Sequence, residues 1–301
     1  MTPVWQEMFH TMYILAKTQD IGSTNCYHGK ENVLFQSRNK PVWRLSAVTD
    51  CGTVRKLNQD NMYVMEPVVS HTSLGHYVVT KECEESIMIA VCDGMGGEMW
   101  GEKASYLACR VLEQSDRMSC AKLSTTELER KLVELMNRMN ACVYDTFVRD
   151  SVFVGSTVVL LYADEIRTMV VNVGDSICIR MTESDSGLVT IPDNQANWLY
   201  ERGEITEEQR WRHKSKSRLT QCLGMNPEEF QLKPHVYVAD AMQKNEMYLL
   251  ASDGLVDGLL LSEIYCMMRQ NPTPSVANAL VEAAKAGGSH DNISALFVKR
   301  R

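Results

Sequence analysis

The segment IMIAVCDGMGG (87–97) joins a continuous apolar run to an acidic, glycine-rich loop, and it anchors the fold prediction. A short apolar run bounded by turn-forming residues is typical of a strand that is buried on both faces. Asp93 follows directly, so the strand would deliver this carboxylate to one edge of a sheet. The next segment, GEKASYLACRVLEQ (101–114), has apolar residues at helical spacing and predicts a helix that packs on that sheet.

The segments on either side predict further strands. Toward the N-terminus, WRLSAVTD (43–50) and NMYVM (61–65) flank a polar loop, and we predict that they pair as a hairpin. Toward the C-terminus, STVVLLYA (156–163), TMVVNVGD (168–175) and SICIRM (176–181) predict a three-stranded meander.

Helices are predicted between and after these strands. Ser124 and Glu127 have the spacing of a capping box, and an apolar stripe follows them. Further helices are predicted at 205–212, 262–270 and 274–286, a strand with a loop at 246–254, and a last strand at 293–300. This order predicts an α+β domain in which helices cover the sheets on the outside.

Residues 1–40 differ from the rest of the chain, because their apolar residues hold no period and 22–40 is rich in turn formers. We therefore expect an N-terminal extension of unknown role at 1–40 and one catalytic domain at 41–301.

Composition excludes several classes of protein. The 301 residues carry a formal charge of −7, which argues against a dedicated nucleic-acid binder. The apolar runs are too short to span a bilayer, and the N-terminus is a poor secretion signal, so we expect no membrane association. The ten cysteines include no C-x-x-C pair, which argues against a zinc ribbon and favours reduced thiols in the cytoplasm.

Four aspartates lie at the ends of apolar strands, in the segments NQDN, CDGMGG, SDGL and HDN: Asp60, Asp93, Asp253 and Asp291. Each segment alone could be an ordinary Asp-Gly or Asp-Asn turn. Four of them could gather carboxylates at one rim of a sheet, where mutual repulsion would favour a bound cation. A set of oxygen ligands without His or Cys suits Mg²⁺ or Mn²⁺ better than Zn²⁺.

Seven motifs in order resemble the metal-dependent protein phosphatases of type 2C, the PPM family, in a bacterial-like form. They extend over residues 43–300: R-x-x-x-Q-D (55–60), DGMGG (93–97), GSTVV (155–159), NVGDS (172–176), LTQCLG (219–224), SDGLVDG (252–258) and DN (291–292). The resemblance implies an α+β fold with a central β-sandwich of two antiparallel sheets between helix layers (αββα). It also implies hydrolysis of phosphoserine and phosphothreonine in proteins by a water that two Mn²⁺ or Mg²⁺ ions activate.

The resemblance also assigns residues. Asp93 would bridge both ions and Gly94 would offer its carbonyl, while Asp253 and Asp291 would complete the shell of the second ion. Asp60 would act at the same centre, directly or through water.

Arg55 would bind the substrate phosphate through its planar guanidinium. Gln59, where the family commonly has Glu, and Asn292 would support the ligands from outside the metal sphere.

Three further positions depart from the family or carry no catalytic role. Val152 stands where the family often has an Asp, which predicts that a third ion is absent or held differently. Met95 replaces a His of some eukaryotic members. We interpret Asp175 as structural.

The expected partners are phosphorylated proteins and a cognate Ser/Thr kinase system, with no nucleic acid and no membrane, and we expect a cytoplasmic monomer. One alternative is a catalytically weak or inactive relative that binds phosphoproteins or regulates a signalling partner. A calcium-stabilised structural sandwich is a third possibility, but nothing in the sequence resembles an EF-hand loop.

Overall fold

The computed structural model of the protein describes residues 41–65, 68–70, 76–96, 100–147 and 153–301. The expected N-terminal extension (1–40), Gly97 and Val152 lie outside these residues, so the predictions made for them stay predictions. The described residues belong to one compact unit. Among them, no helix is both long and apolar enough to cross a bilayer.

One antiparallel sheet has six strands in the order β10-β9-β12-β13-β1-β4. Its strands are β1 (Trp43–Asp50), β4 (His76–Cys83), β9 (Ile177–Met181), β10 (Ser186–Leu188), β12 (Met247–Ala251) and β13 (Ile293–Arg300).

The second antiparallel sheet has the order β11-β8-β7-β5-β2-β3, with β6 paired to β5. Its strands are β2 (Asp60–Val64), β3 (Val68–Ser70), β5 (Ile87–Met95), β6 (Gly155–Ser156), β7 (Val158–Ala163), β8 (Arg167–Val173) and β11 (His235–Asp240).

The two sheets pack face to face, and β5 shows why its sequence is apolar without interruption. Ile87, Ile89 and Val91 are buried between the sheets, whereas Met88 and Ala90 are buried against the helices on the outer face. Because successive side chains of a strand point to opposite faces, both faces of this strand must be apolar.

Helices cover both outer faces, which confirms the predicted α+β sandwich with its αββα layers. On the second sheet lie α1 (Gly101–Glu113) and α3 (Thr125–Phe147), and on the first lie α6 (Asp253–Gly258), α7 (Leu261–Gln270) and α8 (Val276–Ala286). The remaining helices are α2 (Arg117–Cys120), α4 (Gln195–Glu201) and α5 (Glu207–Arg212).

The predicted capping box is confirmed at the start of α3. The Glu127 carboxylate accepts from the Ser124 backbone N–H at 2.8 Å, and the Glu127 N–H donates to Ser124 Oγ at 3.3 Å. The apolar stripe of this helix is buried against the second sheet: Leu128, Leu132, Leu135, Met136 and Met139.

Two predicted strand pairings are wrong. β1 pairs with β13 and β4, while β2 pairs with β3 and β5 in the other sheet, so 43–50 and 61–65 form no hairpin. Of the three strands predicted to form a meander, only β7 and β8 pair with each other. The third, β9, lies in the other sheet and pairs with β10 and β12. Between β8 and β9 the chain changes sheets at Gly174, whose φ of +94° is a conformation that favours glycine.

Candidate active site

A cavity of about 800 Å³ lies where loops from both sheets meet. Acidic side chains line it together with basic Arg55 and Lys56: Asp93, Asp175, Asp253 and Asp291. The structure therefore brings three of the four predicted aspartates to one cavity and adds Asp175 to them.

Asp60 lies beneath the cavity, buried to 1% exposure, and faces Asp93 across the β2–β5 pair. Its Oδ2 accepts a hydrogen bond from Ser252 Oγ at 2.7 Å, and its Oδ1 has no hydrogen-bond partner. Burial raises the pKa of Asp60 to about 7, hydrogen bonds from Ser294 and Ser252 oppose that rise, and nearby Asp291 and Asp253 add to it. This position fits the predicted role of Asp60 at the metal centre, directly or through water.

Asp93 stands at the end of the apolar run that the sequence singles out. Its backbone is fixed by Thr157, the residue between β6 and β7, because Thr157 N–H donates to Asp93 O at 2.8 Å and Asp93 N–H donates to Thr157 Oγ1 at 3.1 Å. Burial raises the pKa of its carboxyl well above the usual value, and the charges of Asp60 and Asp253 raise it further.

Gly94 is a position where only glycine fits. A Cβ placed here would lie 2.0 Å from the Gly101 carbonyl oxygen and 2.7 Å from that of Gln59. Both contacts are with backbone, so neither neighbour can move away as a flexible side chain could. The close packing holds the start of α1 against the end of β5, at the residue predicted to offer its carbonyl to an ion.

Asp253 begins α6 directly after β12. Burial raises the pKa of its carboxyl to about 6, Asp291 adds to the rise, and Lys216 opposes it. Its Oδ1 is buried without a hydrogen-bond partner. The helix N-terminus partly compensates the negative charge at this position.

Asp291 and Asn292 connect the loop before β13 to the loop that carries Arg55. Arg55 Nη2 lies 2.7 Å from Asp291 Oδ2, and the Arg55 side chain is 51% exposed. Asn292 accepts from Gln59 N–H at 2.8 Å and donates to the carbonyls of Cys51 and Leu57, each at 2.9 Å.

The four strand-end carboxylates fit divalent cations. Two of their buried oxygens, Asp60 Oδ1 and Asp253 Oδ1, lack the hydrogen bonds that buried carboxylate oxygens normally make. The raised pKa values show that the cluster is costly to ionise without a compensating positive charge. Oxygen-only ligands suit Mg²⁺ or Mn²⁺.

A second group of possible ligands has a different character. Asp50, His76 and Glu282 place ligand atoms within 4.8 Å of one another. The Lys285 ammonium already donates to Asp50 at 3.0 Å and to Glu282 at 3.2 Å, so this group is an ion-pair cluster.

Asp175, interpreted from the sequence as structural, also lines the cavity. Its carboxyl is buried, and burial and the charge of Asp253 raise its pKa well above the usual value. Asn194 Nδ2 donates to its Oδ2 at 3.5 Å. The signal was present, because Asp175 also follows a buried strand, in NVGDS, as the other four aspartates adjoin theirs.

Met95 and His290 differ in their relation to the cavity. Met95 lines it, as expected from the DGMGG motif. His290 is 78% exposed and lies 3.8 Å from Asp257; it precedes Asp291 in the chain but does not itself line the cavity.

Comparisons with known proteins agree with this geometry. The family model described as Protein phosphatase 2C matches residues 56–293. The serine/threonine phosphatase Stp of Listeria innocua is 27% identical over 255 residues, which cover 84% of this chain and 94% of that protein.

Two solved structures are similar in fold. The Mycobacterium tuberculosis serine/threonine phosphatase PstP/Ppp has a TM-score of 0.69 at 24% identity, covering 86% of this chain and 98% of that one. The catalytic domain of PstP in complex with two manganese ions has a TM-score of 0.68 at 23% identity, covering 86% and 99%.

Proposed function

The chain belongs to the protein phosphatase 2C family, and we propose that it hydrolyses phosphoserine and phosphothreonine in proteins with two Mn²⁺ or Mg²⁺ ions. The observation that carries the proposal is the convergence of Asp93, Asp253 and Asp291 on one cavity above buried Asp60. The alternative of a catalytically weak phosphoprotein-binding relative is not favoured, because such a protein would have no use for this costly cluster.

We propose the ligands that the family resemblance implies, and the positions of these residues support them. Asp93 and the carbonyl of Gly94 would serve one ion, and Asp93, Asp253 and Asp291 would serve the other, with Asp60 acting from below. When bound, the cations lower the pKa of water and offset the charge of the phosphoryl group. The carboxylates must release their protons for this binding, which their raised pKa values make dependent on pH.

Arg55 would bind the phosphate of the substrate. Its half-exposed guanidinium lines the cavity and uses Nη2 for Asp291, which leaves further N–H donors of the planar group for a phosphate oxygen. Asn292 would position Arg55 indirectly, because its three side-chain hydrogen bonds hold both ends of the 51–59 loop.

No protein nucleophile is required for this reaction. Among the described residues, those that line the cavity include no cysteine and no histidine. Cys51, the cysteine closest in sequence to Arg55, has a pKa raised by burial and by Asp50 and Asp60, which disfavours its thiolate.

We further propose a cytoplasmic location, a signalling role opposite a Ser/Thr kinase, and a monomeric state. Nine cysteines lie in the part of the chain that the structure describes, and all nine are free thiols, which supports a reducing compartment.

The test measures hydrolysis of para-nitrophenyl phosphate and of a phosphothreonine peptide by the full chain, with Mn²⁺ and with chelator. Asp93→Asn should lower kcat by at least about a hundredfold, because it removes the central ligand. The matched control is Asp240→Asn, since Asp240 is exposed at the far end of β11 and should leave the rate unchanged. A rate indifferent to Mn²⁺ and to Asp93→Asn would refute the proposal.

A further inference from the structure

A basic segment, RWRHKSKSR at 210–218, borders the acidic cavity in a chain whose net charge is −7. Five of its nine residues are Arg or Lys, and none is acidic. Ser217 and the adjoining Leu219 line the cavity, so the segment forms part of its wall.

An ion pair and hydrogen bonds hold the segment in place. Lys216 Nζ lies 2.6 Å from Asp257 of α6, and His213 Nδ1 is 2.6 Å from Ser215 Oγ. Arg218 O accepts from Gln195 N–H at 2.9 Å, which ties the end of the segment to α4. Side chains carried by a fixed backbone lose less conformational entropy when they bind a partner.

Three of the five basic side chains already have partners. Arg210 lies 3.6 Å from Glu207, Arg212 lies 4.0 Å from Glu208, and Lys216 is paired with Asp257. Lys214 and Arg218 are exposed, and neither forms an ion pair with a residue that the structure describes. These two charges are therefore open to a ligand.

We propose that Lys214 and Arg218 bind acidic side chains next to the phosphorylated residue of a protein substrate. Arg218 is flanked in the chain by Ser217 and Leu219, which both line the cavity. Lys214 is three residues from Ser217, a span of at most about 11 Å, which equals about three residues of an extended peptide. The substrate class is thus a phosphoserine or phosphothreonine peptide with Glu, Asp or a second phosphate within about three positions.

This inference rests on the proposed function and makes it more specific. The test uses the full chain with Mn²⁺ and two phosphothreonine peptides that differ only in having three Glu or three Gln around the phosphorylated residue. The readout is the ratio of kcat/KM for the acidic peptide to kcat/KM for the neutral one. Because each exposed charge pair contributes a factor of about two to five, we expect a ratio of about five or more at low salt. High salt should lower that ratio toward one.

Variants show whether Lys214 and Arg218 cause the preference for the acidic peptide. Lys214→Gln with Arg218→Gln should bring the ratio to between about one and two, and Lys214→Glu with Arg218→Glu should make the neutral peptide the better substrate. Lys244→Gln is the matched control, because Lys244 is exposed in the loop before β12, at the end of that strand opposite Asp253, and it should keep the wild-type ratio.

Each outcome decides the question. A wild-type ratio near one, or an equal drop in Lys244→Gln, would overturn the inference. Stronger competition by single-stranded DNA than by the unphosphorylated acidic peptide would also overturn it, because the segment would then serve a nucleic acid. If the wild type cleaves neither peptide and no para-nitrophenyl phosphate, the proposed function itself fails. If it cleaves both peptides equally well, only this inference fails.

Discussion

Replacing Asn292 with alanine should both destabilise the protein and loosen the loop that carries Arg55. The Asn292 side chain is 4% exposed and makes three hydrogen bonds to backbone groups at the two ends of the 51–59 loop. Asn292→Ala leaves one N–H and two carbonyl oxygens without these partners. Each lost bond costs about 1 kcal/mol where water can partly replace it, so we expect the free energy of unfolding to fall by about 3 kcal/mol.

The assay is urea unfolding at constant protein concentration, followed by circular dichroism, with metal-free and Mn²⁺-loaded protein compared. For a domain of this size the same loss corresponds to a Tm lower by about 6–12 °C. The graded control is Asn226→Ala, because Asn226 Oδ1 accepts one exposed hydrogen bond, from Glu228 N–H at 3.0 Å. That variant should lose at most about 1 kcal/mol.

Kinetics give a second reading of the same change. A loosened loop places Arg55 less often against the phosphate, so KM for the phosphopeptide should rise in Asn292→Ala and stay unchanged in Asn226→Ala. A loss of stability below about 1 kcal/mol, or one equal to that of the control, would contradict the role we assign to Asn292.

Three other changes have defined outcomes. Gly94→Ala puts a Cβ 2.0 Å from the Gly101 carbonyl oxygen, so the variant should lose Mn²⁺-dependent activity by at least about a hundredfold or fail to fold; wild-type kinetics would refute the packing argument. The pKa of Asp60 is about 7 in the folded protein and about 4 in the unfolded chain. The contribution of this carboxyl to the stability of the metal-free protein is therefore fully present below about pH 4 and is lost as pH rises through about 7. In chelator, Tm should therefore be higher at pH 5.5 than at pH 8, and Mn²⁺ should raise Tm more at pH 8; a Tm shift independent of pH would count against the cluster. Ser124→Ala removes the hydroxyl of the α3 capping box and should lower the free energy of unfolding by about 1 kcal/mol in a urea titration, and no change would show that the Glu127 contact is too exposed to matter.

The sequence predicts those parts of the fold in which local pattern and burial agree. The run at 87–92 is apolar because both faces of β5 are covered, and the stripe in α3 repeats at helical spacing because one face packs on the second sheet. Strand pairing is a different matter. β1 pairs with β13, which lies more than 240 residues further along the chain, with Trp43 opposite Arg300. No local pattern in the sequence identifies so distant a partner.

Strands with one exposed face escaped prediction. β4 alternates between exposed and half-buried residues along HYVVTKEC, so it lacks the apolar run that identified β5. β11 has the same mixed character, and α4 has only seven residues, too few to show a helical period.

The sequence predicted which aspartates come together, but not how deeply each is buried or what it contacts. Aspartates at the beginnings or ends of buried strands identified the site, because strand ends of a sandwich meet at one rim. The position of Asp60 beneath the cavity and the pairing of Arg55 with Asp291 depend on three-dimensional packing. Asp175 carried the same sequence signal as the others, so its place in the cavity could have been expected.

The number of Mn²⁺ ions bound tests the central claim most directly, because the claim is that these carboxylates form a two-cation centre. Isothermal titration calorimetry of metal-free protein at pH 8 should give two ions per chain, and Asp240→Asn should also give two. Asp93→Asn should bind fewer than two, since it removes the carboxylate that would contact both. Fewer than two ions in the wild type, or two ions retained in Asp93→Asn, would contradict the account.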